Sequence, residues 1–168
     1  HEGQFDARAL LAPAQAGHDV GLVSEAGMPA IADPGASVVR SAHALGLRVL
    51  PLAGPISLML ALAASGLNGQ NFAFVGYLPQ DASERGQRLR ALESLVLKTG
   101  QTQLFIETPY RNAALFAALL QTLQGSTRLA LSCALTLNGG WSRCQRVQDW
   151  KREAPPALAA PTVFAIGR

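Results

Sequence analysis

Glu107 and Arg111, four residues apart in Ile106-Glu107-Thr108-Pro109-Tyr110-Arg111, place a carboxylate and a guanidinium in one short loop at the end of an expected strand. Pro109 stiffens the turn between them. A guanidinium forks onto phosphate or carboxylate, so Arg111 is a candidate for contacting a substrate phosphate or for orienting Glu107. The plain alternative is an ion pair that only holds the loop. Three other segments sit where an expected strand meets a loop: Ser24 to Gly35, Ala53 to Ser57 and Gly76 to Pro79. Taken singly, each Gly/Pro segment reads as a structural turn. Their common placement suggests a cleft. Gly27 and Gly35 would let backbone amides approach a ligand with no Cβ in the way.

Other chemistries lack their residues. The sequence contains no G-x-G-x-x-G, no Walker loop, no G-x-S-x-G and no H-E-x-x-H. His1, His18 and His43 are scattered over helix or terminus, and Cys133 and Cys144 have no partners at metal-ligand spacing. Neither a metal site nor a redox role is expected, and reduced thiols fit a cytoplasmic protein. The net charge of +3 permits a nucleic-acid partner, but no Lys/Arg block is present. The apolar stretch Ile56 to Leu67 is shorter than the roughly 20 residues that span a bilayer, so it reads as a core helix and no membrane partner is expected.

The elements that must position these loops form an α/β pattern. With 168 residues, 49% of them hydrophobic and 15% charged, the chain has material for a packed core. Asp6 to Ala16 reads as a helix with Leu10 and Leu11 inward, kinked or split at Pro13. Val20 to Val23 and Leu47 to Leu50 read as strands buried on both faces, linked by a helix from Ala36 to Leu45 that Gly46 ends. Two parallel strands are too few for a sheet, so upstream sequence is expected to complete this unit.

After Pro55 come a helix to Ser65, a strand Phe72 to Val75, and a polar loop through Ser83. An amphipathic helix follows from Glu84 to Leu97, with Leu89, Leu92, Leu95 and Val96 inward and Arg85, Arg88, Arg90 and Glu93 elsewhere. The alternation continues with strand Thr102 to Ile106, helix Asn112 to Leu123 and strand Arg128 to Cys133. A short strand from Arg143 to Val147, a brief helix to Glu153, a proline-rich connection from Ala154 to Pro161 and a closing strand Thr162 to Ile166 complete it.

Several of these segments resemble one family. Ser24 to Gly35, read as SEAGMPAIADPG, is similar to the S-D-A-G-T-P-x-I-S-D-P-G signature of the tetrapyrrole-methylase-like S-adenosylmethionine-dependent methyltransferases, in their ribosomal-RNA small-subunit methyltransferase I branch. PLAGPIS resembles that branch's P-G-P loop, GYLP its G-F-L-P, and IETPYR its E-S-x-x-R element. The likeness covers nearly the whole chain, with the first motif the specific one.

The resemblance implies an α/β fold of two domains with mixed sheets, the first incomplete here. The boundary would fall between residues 1–54 and 55–168, and His1-Glu2 would match the end of the family's amino-terminal unit. It implies a homodimer that binds S-adenosylmethionine between the domains. Ser24, Glu25, Ala26, Gly27, Met28 and Asp33 would line the cofactor site, joined by Pro55, Ser57, Gly76 and Tyr77. Amides at the start of the helix after Pro55 would suit the cofactor's carboxylate. Tyr77 would stack on adenine or a substrate base, or else pack as a core aromatic. Glu107 and Arg111 are the catalytic candidates.

The branch usually has Asp and Thr where this chain has Glu25 and Met28, and Leu135-Thr136 leads into Leu137-Asn138-Gly139-Gly140 where a charged run is usual. Three readings follow. One is methyl transfer to a ribose hydroxyl or base of ribosomal RNA, which predicts a basic rim. The second is transfer to a small tetrapyrrole-like molecule, which predicts a deep apolar cleft. The third is a noncatalytic module that binds the cofactor or dimerises.

Overall fold

The computed structural model describes residues 6–168, so the expectations for His1 and Glu2 lie outside it. The chain divides into two compact units, His1–Ile56 and Ser57–Arg168.

The first unit contains α1 (Ala7–Leu10), α2 (Ala12–Gln15) and α3 (Ala36–Ala44). Asp6 caps α1 by accepting from the amides of Arg8 and Ala9 through Oδ1. The expected split at Pro13 is present, and the proline falls in the first turn of α2, where a missing N–H costs nothing. Leu11 is buried, but Leu10 is exposed, which corrects the inward placement of both. Adjacent side chains on a helix point about 100° apart, and here the core takes Leu11 and leaves Leu10 exposed.

Neither expected strand of this unit forms. Residues 20–23 and 47–50 have no ladder partner among the described residues, and Val20, Leu22, Val23 and Leu50 are exposed. Apolar and β-branched composition favours an extended backbone, but only inter-strand hydrogen bonds make a strand.

The second unit is built on a mixed sheet of β1 (Phe72–Tyr77), β2 (Thr102–Glu107), β3 (Arg128–Cys133), β4 (Trp141–Arg146) and β5 (Thr162–Gly167). The order is β1-β2-β5-β3-β4. Strands β1 and β2 are parallel, whereas β5 is antiparallel to both β2 and β3, and β3 is antiparallel to β4. The helices are α4 (Ser57–Ser65), α5 (Ala82–Thr99), α6 (Asn112–Thr122) and α7 (Val147–Trp150).

Leu89, Leu92 and Val96 of α5, Leu115, Phe116 and Leu119 of α6, and Val147 and Trp150 of α7 form one buried cluster with Phe105, Leu129, Leu131, Phe164 and Ile166 of the sheet. The rings of Phe105 and Phe164 stack with centroids 6.0 Å apart, and Phe116 meets Trp150 edge-on at 5.5 Å. Helix α4 packs over β3, β4 and β5 and buries Leu58, Ala61 and Leu62 outside that cluster, so the sheet is covered on both faces. Close approach matters at Gly167, where a Cβ would stand 2.8 Å from Leu67 Cδ2.

Helix α5 begins at Ala82, two residues before the expected start, because Asp81 Oδ1 accepts from the amides of Ser83 and Glu84. It ends at Gly100, whose φ of 70° suits a left-handed cap. Its inward face also differs from the expectation: Leu95 is exposed and Glu93 is buried. Glu93 lies four residues after Leu89, on the same stripe. Its Oε1 accepts from Thr127 Oγ1 at 2.5 Å and from the Gln124 amide at 2.9 Å, which ties α5 to the turn before β3. Replacing Glu93 by Ala would strand the buried Thr127 hydroxyl and remove the acceptor of the Gln124 amide, and is expected to lower the unfolding free energy by about 1–3 kcal/mol in chemical denaturation.

Candidate functional site

In the first unit, the segment from Ser24 to Gly35 is a chain of tight turns. Ser24 Oγ donates to the carbonyls of Ala26 and Gly27 at 2.9 and 3.4 Å, which curls the loop back on itself. Gly27 has φ 76° and Gly35 has φ 134°, conformations that a side chain resists. Ala30 and Ala32 also adopt left-handed backbone, at φ 66° and 55°, and the Ala30 amide donates to Pro34 O. Two strained alanines in one loop mark a backbone held by its surroundings.

This loop meets the segment before residue 56. A Cβ on Gly54 would lie 3.2 Å from Met28 Cγ, and one on Gly27 would lie 3.7 Å from Pro55 O. The structure therefore brings Gly27, Met28, Gly54 and Pro55 together within the unit. Ser24, Glu25 and Asp33 of the same loop line a cavity of about 330 Å³ together with the apolar side chains of Leu10, Leu22 and Val38. Of the other residues expected at the cofactor, Ala26, Gly27, Met28 and Pro55 lie outside its lining, and Ala26 is exposed. The apolar lining was missed from sequence: Leu10 was assigned to the core and Leu22 to a buried strand.

In the second unit, Ser57 is the first residue of α4. Gly76 and Tyr77 end β1, where the pairing with β2 shifts register between Phe74 and Tyr77 and Gly76 takes φ 73°. Tyr77 is 60% exposed, so it is not a core aromatic. Tyr77 aligns with Ile106, which puts the end of β1 beside the Glu107–Arg111 segment at the carboxyl ends of two parallel strands.

Glu107 and Arg111 do form an ion pair, at 2.6 Å between Arg111 Nη2 and Glu107 Oε1. The same oxygen accepts from the Thr108 amide at 2.7 Å and from Thr108 Oγ1 at 3.3 Å. The Glu107 side chain is 3% exposed and that of Arg111 26%, so the carboxylate is the buried anchor and the guanidinium is the accessible partner. Among the described residues no group of His, Cys, Asp and Glu side chains is placed to hold a metal ion. No helix among them is long and apolar enough to cross a membrane.

The fold resembles two solved methyltransferases. The methyltransferase CobJ aligns with a TM-score of 0.61 over 96% of this chain and 70% of its own, at 20% identity. Uroporphyrin-III C-methyl transferase from Thermus thermophilus, solved with S-adenosylhomocysteine, aligns at 0.50 over 96% of this chain and 71% of its own, at 19% identity. The sequence profile of the Tetrapyrrole (Corrin/Porphyrin) Methylases matches residues 2–154, and the chain belongs to that family.

Among curated relatives, Ribosomal RNA small subunit methyltransferase I of Pseudomonas aeruginosa is 37% identical over 136 residues, which cover 81% of this chain and 47% of that protein. The enzyme of the same name from Mesorhizobium japonicum is 39% identical over 76% of this chain and 42% of its own, and that from Bacillus subtilis 33% identical over 81% and 45%. The chain thus spans about half the length of the curated relatives it matches.

The ion pair yields a direct test of the loop. Arg111→Ala would leave the buried Glu107 carboxylate without its cation, and a loss of about 1.5–3 kcal/mol is expected from thermal or denaturant unfolding. Arg111→Lys, which keeps the charge but not the fork, should recover only part of that loss.

Proposed function

We propose that this protein is an S-adenosylmethionine-dependent methyltransferase that acts on ribosomal RNA, at a ribose hydroxyl or a base, and works as a homodimer in the cytoplasm. The observation that carries this reading is the 37% identity to an enzyme named for ribosomal RNA methylation over 136 residues. Likeness to the tetrapyrrole enzymes is confined to about 20% identity and supports the fold.

The residues of the first unit suit the cofactor. A cavity of about 330 Å³ lies at the low end of small-molecule sites and combines an apolar wall with two carboxylates. Glu25 and Asp33 would accept from ribose hydroxyls or from the ammonium group of the methionine moiety. Leu10, Leu22 and Val38 would cover the apolar part. Gly27, with no Cβ, would let the Ser24–Met28 loop approach closely, and Pro55 would border it.

Bound S-adenosylmethionine supplies a methyl group already activated by the sulfonium. The protein's task is then to hold the acceptor in line with that methyl and exclude water. Such positioning is worth roughly 7–11 kcal/mol, which makes a strong general base unnecessary. In this assignment Glu107, whose Oε1 already accepts from three donors, holds Arg111, and Arg111 meets the substrate.

Calorimetric titration with S-adenosylhomocysteine tests the cofactor assignment. The full-length protein is expected to bind, and Asp33→Ala to weaken binding by about tenfold with no change in unfolding temperature, as for a lost hydrogen bond to a charged group. Transfer of labelled methyl to small-subunit ribosomal RNA should follow. Folded full-length protein that binds no S-adenosylhomocysteine would overturn the methyltransferase reading. Binding with transfer only to a tetrapyrrole would overturn the RNA acceptor.

A further inference from the structure

Two arginines at one end of the second unit's sheet have buried donors with nothing to bond. Arg85 Nε and Arg111 Nε are both enclosed and both lack a hydrogen-bond partner. The hydrogen-bonding capacity of both guanidinium groups is therefore only partly used by the chain itself. Their placement is common. Arg85 lies in the first turn of α5, which follows the carboxyl end of β1, and Arg111 lies just before α6, which follows the carboxyl end of β2. The two strands are parallel neighbours, so both arginines and both helix amino-termini gather at one end of the sheet.

Each arginine is held in place. Arg85 Nη1 donates to the carbonyl of Gln80 at 3.0 Å, and Arg111 Nη2 is bound to the buried Glu107 carboxylate. Arg111 also lies 5.4 Å from the centroid of the Tyr110 ring. Tyr110 itself is 81% exposed, on a 3-10 turn from Pro109 to Arg111 whose first residue restricts the backbone. A flat aromatic face thus stands in solvent beside a fixed cation. Aromatic faces with arginine at hand are how proteins hold unpaired bases, since every base has a face to stack and every nucleotide a phosphate.

We propose that Tyr110, Arg111 and Arg85 form a binding platform for single-stranded RNA, with Tyr110 stacking on an unpaired base and the two guanidinium groups bonding the flanking phosphates. The proposal rests on the ribosomal-RNA reading above and adds to it the form in which the substrate is recognised. It selects unpaired RNA because a base inside a duplex offers no free face to Tyr110.

The test is fluorescence anisotropy with full-length protein and a labelled 12-nucleotide mixed-sequence RNA, single-stranded or annealed to its complement, across a series of salt concentrations. Wild type should prefer the single strand. Tyr110→Ala should weaken single-strand binding about tenfold or more, Tyr110→Phe should restore it, and affinity for S-adenosylhomocysteine and unfolding temperature should not move. Arg85→Ala should reduce the slope of log affinity against log salt by about one.

Tyr110→Ala and Arg85→Ala proteins that bind the single strand as wild type does would overturn the platform and leave the ribosomal-RNA reading standing. Equal binding of duplex and single strand would overturn it likewise. A wild type that binds S-adenosylhomocysteine but neither RNA would overturn the ribosomal-RNA acceptor and the platform together.

Discussion

Strand β5 lies between β2 and β3, is antiparallel to both, and has all six residues buried, so it completes the hydrogen-bonding of a parallel pair on one side and of a hairpin on the other. Without it, β2 and β3 would each present an open edge and a bare apolar face. Its alternation serves both layers: Phe164 and Ile166 enter the cluster with α5, α6 and α7, while Val163 and Ala165 point the other way. The glycine at its end lets Leu67 close over the sheet. The approach to β5 is held too, because Asn112 Nδ2 donates to the carbonyls of Leu158 and Ala160 at 3.0 Å each.

That arrangement is what puts chemistry at one end of the sheet. Pairing of β5 with β2 runs from Gln103 to Glu107, so Glu107, whose carboxylate is buried, pairs with Thr162 at the last rung of the ladder. Arg111 takes its position from that carboxylate, and Tyr110 takes its position from the turn between them. A rigid scaffold thus ends in a short loop whose outward side chains are the accessible ones, a common way for a fold to offer function without disturbing its core. In the first unit the order is reversed, since the loop's own hydrogen bonds and glycines shape it around a cavity.

Local pattern was legible where one rule decided the outcome. Strand β3 runs over the residues expected, because a short, largely apolar run with Leu129 and Leu131 that follows the turn residues Gly125 and Ser126 has few other uses. The break at Pro13 followed from proline's geometry alone. Helix α5 turns Leu89, Leu92 and Val96 inward as expected, and departs from the expectation at Leu95, which is exposed, and at Glu93, which is buried although a charge ordinarily marks the solvent side. Glu93 could be buried once the Gln124 amide and Thr127 met it, and these partners lie 31 and 34 residues away. The start of α5 could have been read, since Asp81-Ala82-Ser83-Glu84 follows the capping pattern of an acceptor with a glutamate three residues later.

By itself the sequence determined the α/β alternation, the turn-rich loop from Ser24 to Gly35, and the pairing chemistry available to Glu107 and Arg111, because these depend on residue type and near spacing. Tertiary structure alone decided that residues 20–23 and 47–50 form no ladder, that Tyr77 and Tyr110 stand in solvent, and that two guanidinium nitrogens are enclosed without acceptors. A strand needs a partner, and burial is a property of neighbours brought from elsewhere in the chain. Neither is contained in any local window of sequence.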